Sequence, residues 1–212
     1  MYKELHLEST DVCNLACPVC SREINTEFNK NKKHHLSIDQ ILNHLTDFDI
    51  SQLDKMFMCG NYGDPAAGLH TIEIYNYFRN INPTIELGMN TNGSLKPGSY
   101  WTSLGSILNQ SRDYVVFSID GLEDTNHIYR INSDWHKIME NARCFIDAGG
   151  SAHWDMLVYK HNEHQVDACE QLAKDLGFKW FRAKVSKRPL ANNLENGEYD
   201  LRALLEISEV LQ

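Results

Sequence analysis

An open, partial (β/α)6 barrel with parallel strands is the α/β fold that this sequence predicts. Three observations lead to it. Short β-rich runs alternate with helical patterns six times along the 212 residues. Six such units fall short of the eight that close a full barrel. The most polar and Gly-rich segments, the cysteine loop near the amino terminus, Gly60–Pro65, Asn90–Gly93 and Ser118–Gly121, each follow a strand. That is the end of the sheet where such folds collect function. A doubly wound sheet is the alternative arrangement of the same units.

Taken in order, Tyr2–Glu8 reads as the first strand and runs straight into the cysteine loop. Ser37 is a helix N-cap, followed by Ile38, Ile41, Leu42 and Leu45 on one face. Lys55–Cys59 is the second strand, and His70–Asn80 a helix with Ile72, Tyr75 and Phe78 at helical spacing. Thr84–Met89 is the third strand, with a helix within Ser99–Asn109 after it. Tyr114–Ile119 is a buried strand, and Asp134–Ala148 a helix stopped by Gly149-Gly150. Ala152–Tyr159 is the fifth strand, Gln165–Leu176 a helix ended by Gly177, and Lys179–Val185 the sixth strand. Asp200 caps a last helix from Leu201 to Leu211. Lys187–Gly197 is the one boundary-like loop, so residues 1–186 are expected to form the partial barrel. Residues 187–212 would then close its open side or contact a protein partner.

Bulk properties narrow the function. At 42% hydrophobic and 23% charged, the chain has an ordinary globular composition. No apolar run approaches the roughly 20 residues that span a bilayer, and the first residues lack a signal peptide's apolar core. A cytoplasmic location without membrane contact is expected, where thiols stay reduced and can bind metal. The net charge of −9 weighs against nucleic acid as a partner. One stretch, Lys179–Arg188, carries five cations with Trp180 and Phe181 between them. It reads as a strand with a solvated basic end, or as a dock for an acidic reductant or anionic substrate.

The chemistry centres on Cys13, Cys17 and Cys20, spaced C-x3-C-x2-C. Three thiolates on one loop can hold three corners of an iron–sulfur cube and leave the fourth iron open to another molecule. A structural zinc site is the alternative, because His34, His35 and Cys59 also lie in the chain. Cys59 is a buried small hydrophobe, a substrate thiol or a further ligand. Cys144 and Cys169 lie in helical patterns and read as inert core, and Asn29–His35 as a mobile polar loop.

With the trio after the first strand, Gly60-Asn61-Tyr62-Gly63-Asp64-Pro65 after the second, Asn92-Gly93 after the third and Ser118-Ile119-Asp120-Gly121-Leu122 ending the fourth, the chain resembles the radical S-adenosylmethionine superfamily. Ser118–Arg130 and Leu157–Gln165 look like the branch that often carries a C-terminal SPASM domain. The resemblance covers nearly the whole chain.

It implies one 4Fe–4S cluster on Cys13, Cys17 and Cys20, with S-adenosylmethionine chelating the open iron. Reductive cleavage would give a 5′-deoxyadenosyl radical that takes hydrogen from a peptide or small-metabolite substrate. A flavodoxin or ferredoxin would supply the electron. Gly63, Asp64 and Pro65 would receive the cofactor's amine, and Ser118 and Arg130 its carboxylate. Asn92 or Asp120 would hold the ribose, and Val19, Met156 and Val158 the adenine. Two positions depart from the family pattern: Asp64 stands where Glu is usual, and Val19 where an aromatic residue is usual. No cysteine follows Cys169, so SPASM-type auxiliary clusters are not expected within this sequence. A non-catalytic scaffold that keeps the fold and cluster is the alternative function.

Overall fold

A computed structural model describes residues 3–24 and 33–185. Six strands form one parallel sheet in the order β1-β2-β3-β4-β5-β6: β1 (Glu4–Leu7), β2 (Lys55–Met58), β3 (Glu86–Thr91), β4 (Tyr114–Ser118), β5 (Ala152–Val158) and β6 (Trp180–Val185). Every neighbouring pair is parallel, and β1 and β6 do not pair, so the barrel is open as the β–α rhythm predicts. The helices are α1 (Ser21–Ile24), α2 (Ile38–Leu42), α3 (Asp47–Ser51), α4 (Thr71–Ile81), α5 (Gly98–Ile107), α6 (Glu123–Tyr129), α7 (Trp135–Asp147) and α8 (Val166–Asp175). The loop over 187–197, the helix expected from Leu201 to Leu211 with its cap Asp200, and Lys187 and Arg188 lie outside the described residues.

Alternation sorts the strands into two faces. Met56, Met58, Leu87, Met89, Val115, Phe117, Trp154, Met156 and Val158 are buried in one core between sheet and helices. Trp154 is central to it, touching Trp135, Phe178 and Phe181, while its indole N–H donates to the Ile119 carbonyl at 2.8 Å. The other face lines the barrel interior and is polar and aromatic. There Lys55 pairs with Glu86 at 2.7 Å and lies over the Tyr114 ring, and Tyr114 stacks on His153. At the amino-terminal end, the buried Asp113 accepts from Arg79 at 2.5 Å and from the Leu87 amide at 2.9 Å. That end therefore anchors the sheet, and the opposite end is free to carry loops.

The single helix expected after Ser37 is two short ones. Each has a capping box, Ser37 with Gln40 and Thr46 with Asp49, and the second box restarts the chain before Leu45 can extend the first helix. Among the described residues, no helix is long and apolar enough to cross a membrane.

Candidate functional site

The loop after β1 is held from three sides. Val12 accepts from the Asp64 amide at 2.8 Å, and Ala16 donates to Ile131 at 3.2 Å. A Cβ added to Gly63 would stand 2.7 Å from the Val12 amide nitrogen, so only glycine lets the loop after β2 press against the cysteine loop. Leu15, Cys17 and Val19 pack as a small second core against Tyr129 and Tyr159, whose rings lie 5.1 Å apart. Of the run Asn29–His35, expected to be a mobile loop, residues 29–32 lie outside the described residues, and His34 and His35 are held by hydrogen bonds. Leu36 donates to Ser9 at 2.9 Å, and the His34 amide and ring reach the Asp11 carboxylate at 2.8 and 2.5 Å. This segment therefore braces the start of the cysteine loop.

Cys13, Cys17 and Cys20 are free thiols that line one cavity of about 490 Å³ at the carboxyl ends of the strands. Gly63, Asp64, Asn92, Ser118 and Arg130 line it too, so five of the expected cofactor residues meet the trio. Burial pushes the Cys13 thiol up to about 11 and the Cys17 thiol to about 12, with Arg130 partly opposing the rise at Cys17. Metal binding here must therefore displace protons. The Asn92 side-chain amide and the Leu15 backbone amide donate to the Cys13 sulfur at 3.6 and 3.4 Å, orienting it. Among the described residues, no three His, Cys, Asp or Glu side chains converge on one point where a single metal ion would fit. A cubane makes no such demand, because each cysteine takes a different iron.

Asp64 is a hub. It is buried and accepts from the Ala66 amide at 2.9 Å, the Thr91 hydroxyl at 2.8 Å and the Asn92 amide at 2.7 Å. It thereby caps the turn Pro65–Ala67 and ties the loop after β2 to the end of β3. Asp64→Ala strands three buried donors and is expected to cost roughly 2–4 kcal/mol in urea unfolding. It also frees Asn92, and with it the brace on Cys13.

Arg130 and Asp120 form a buried pair at 2.6 Å. Asp120 also accepts from the Leu157 amide at 2.6 Å, and its carbonyl accepts from the Asn162 side chain at 2.8 Å. Burial works against the Arg130 charge, but Asp120 outweighs it and holds the guanidinium above its ordinary value. The Arg130 guanidinium lies 5.3 Å from the centre of the Tyr129 ring. Asp120 therefore positions a cation at the cavity wall and does not line the cavity itself.

Val19, Met156 and Val158 are fully buried, and Pro65 is buried in its turn. For Met156 and Val158 the reason is strand phase. They point into the helix-covered core, while Asp155 and Leu157 point into the cavity. The signal was legible: His153 and Asp155 are polar side chains at alternate positions of a largely apolar run, where only the interior face can take them. Cys59 is half-buried and lines the cavity, with the Asn90 side chain donating to its sulfur at 3.6 Å, which corrects its reading as buried filler. Cys169 is buried in the core as expected, and Cys144 packs at its margin. Tyr129, Arg22 and Lys184 also line the cavity and were not singled out as site residues.

Burial pushes the Asp155 carboxyl up, but hydrogen bonds from Arg182 and Lys184 outweigh it and hold it below the ordinary 3.8. The folded value is the lower one, so this contribution to stability is complete above 3.8 and is lost as pH falls below it. Between neutral pH and about pH 3, wild type is expected to lose more stability than Asp155→Asn, measured by urea unfolding at each pH.

Residues 7–176 match the sequence model of the Radical SAM superfamily. No curated protein matches at the sequence level. Among solved structures, SuiB of Streptococcus suis bound to its precursor peptide SuiA aligns with a TM-score of 0.68 at 15% identity, over 91% of this chain and 43% of that one. The structure described as native anSMEcpe with bound AdoMet and Cp18Cys peptide aligns with a TM-score of 0.67 at 20% identity, over 93% and 54%. Methylornithine synthase aligns with a TM-score of 0.61 at 8% identity, over 86% and 52%. These likenesses show the fold, and the chain spans about half the length of the structures it matches.

Proposed function

The chain belongs to the radical SAM superfamily, and we propose that Cys13, Cys17 and Cys20 carry a single 4Fe–4S cluster that cleaves S-adenosylmethionine to act on a peptide. The observation that carries this reading is the shared cavity: three free cysteines on one loop face the segments that follow β2, β3 and β4. When bound, cluster and cofactor supply one-electron cleavage of the cofactor and abstraction of a hydrogen atom from the substrate.

The chain's own residues bind, orient and shield. Gly63, held in the cavity wall by the turn at Asp64 and Pro65, offers a carbonyl acceptor for the cofactor's amine. Arg130, kept charged by Asp120, stands with Ser118 in the cavity wall to receive its carboxylate. Asn92 serves the ribose edge and the Cys13 sulfur from one position. The backbone edges beside Met156 and Val158, with Leu157 pointing inward, and the loop at Val19 form the apolar slot for adenine. Tyr129 and Tyr159 seal the back of the cysteine loop against water.

A peptide substrate is favoured over a small metabolite, because SuiB and anSMEcpe were both solved with bound peptides. The electron would come from a flavodoxin or ferredoxin. Anaerobic reconstitution tests the metal assignment: a brown protein with iron and sulfide in equal amounts is expected. A colourless protein holding stoichiometric zinc contradicts it.

A further inference from the structure

The basic stretch that opens at Lys179 is not simply a solvated strand end. Along β6, Trp180, Arg182 and Lys184 share one face, while Phe181 and Ala183 pack on the core. Register sets Arg182 beside Asp155 and Lys184 beside Leu157, on the interior face of the barrel. Arg182 donates to both Asp155 oxygens, at 3.0 and 2.5 Å, and Lys184 donates to one at 2.7 Å.

Among the described residues, one carboxylate meets two cations here, and one positive charge is left over. The surplus lies in a chain whose net charge is −9, so it is not a general property of the molecule. It also lies in the right place, since Asp155 and Lys184 line the same cavity as the three cysteines. Arg182 and Lys184 keep 55% and 45% of their side-chain surface exposed, against 12% for Asp155. A guanidinium has five N–H donors and an ammonium three, so both retain donors beyond those given to Asp155. Asp155 fixes the two heads side by side, which lowers the entropy cost of receiving an anion between them. The surplus of one charge matches a carboxylate better than a phosphate monoester, which carries roughly two negative charges.

We propose that Arg182 and Lys184, aligned by Asp155, receive a carboxylate of the substrate, so that the peptide acted on presents a Glu or Asp side chain or its own carboxyl terminus at the mouth of the cysteine cavity. The inference rests on the radical SAM reading for what happens next, but not for binding. Arg182 and Lys184 are here specificity residues and Asp155 a positioning residue.

The test uses the full chain without cofactor and three blocked tripeptides, acetyl-Gly-X-Gly-amide with X as Glu, Gln or phosphoserine, titrated calorimetrically at low salt. Glu is expected to bind about tenfold or more tighter than Gln, as one charge-assisted pair provides. Lys184→Met is expected to erase that preference and Lys184→Arg to keep it, with circular dichroism showing both variants folded at the titration temperature. Equal affinity for Glu and Gln, or a preference that survives Lys184→Met, overturns the proposal. Phosphoserine binding tighter than Glu through Lys184 overturns the carboxylate assignment. Since binding is read without cofactor, failure of the radical chemistry leaves a positive result standing, and equal peptide affinities leave the radical chemistry standing.

Discussion

Cys17→Ala is expected to lose its iron and all cofactor cleavage while keeping its fold. Cys17 is the most buried of the trio, 8% exposed, between Leu15 and Val19 and against Tyr129 and Tyr159. In the metal-free protein its thiol acts as a small hydrophobe, so replacing it leaves a gap of one sulfur and costs about 1 kcal/mol. For the cluster the loss is of another order. Two remaining thiolates cannot hold three corners of a cube, and no other cysteine stands on this loop. Iron content after anaerobic reconstitution, with circular dichroism as the fold control, checks the expectation. Cys169→Ala is the companion variant: its thiol lies in the main core away from the cavity, and its iron content is expected to stay at the wild-type level.

Asp120→Ala is expected to destabilise the protein by about 3–5 kcal/mol, the usual consequence of removing one partner of a buried ion pair. The Asp120 side chain has no exposed surface and that of Arg130 has 16%, so the abandoned guanidinium has little water to turn to. The change also strands the Leu157 amide, the backbone neighbour of the proposed adenine slot. Urea unfolding measures the loss. Asp120→Asn keeps one acceptor for Leu157 and removes the charge, so its smaller loss separates the hydrogen bond from the ion pair. Both variants are also expected to weaken cofactor binding, because Arg130 loses the partner that aims it.

Most of the architecture was legible because it rests on repeated, local signals. Six β-rich runs alternate with helical patterns, and the first four lead into loops rich in Cys, Gly or Asn, which reads as parallel strands with functional loops after them. The three cysteines were legible for the same reason, since their spacing alone places three sulfurs on one turn. What the sequence hid was long-range. Asp64 read as a cofactor contact, yet its oxygens are taken up by Ala66, Thr91 and Asn92, partners 2, 27 and 28 residues away in sequence. Asp120 read as a ribose ligand, yet it serves Arg130, ten residues on. A buried carboxylate must satisfy its acceptors from whatever elements surround it, and a linear pattern does not list them. Strand phase was the other gap. In β5 both faces carry apolar residues, so hydropathy alone leaves Leu157 and Met156 exchangeable, and only the polar side chains of His153 and Asp155 mark the interior face. The helix after Ser37 was overextended by three residues because Leu45 keeps the apolar spacing although the helix ends at Leu42 and a second capping box starts the next at Thr46.

In the proposed reaction this cavity joins a cysteine-held cluster to S-adenosylmethionine, which is then cleaved. The direct measurement is release of 5′-deoxyadenosine by the reconstituted chain under dithionite, followed by mass spectrometry, with Cys17→Ala alongside. The predicted result is 5′-deoxyadenosine and methionine in equal amounts from wild type and none above background from the variant. Cofactor bound by a cluster-loaded wild type but left intact under strong reductant would contradict the claim and point to a non-catalytic scaffold.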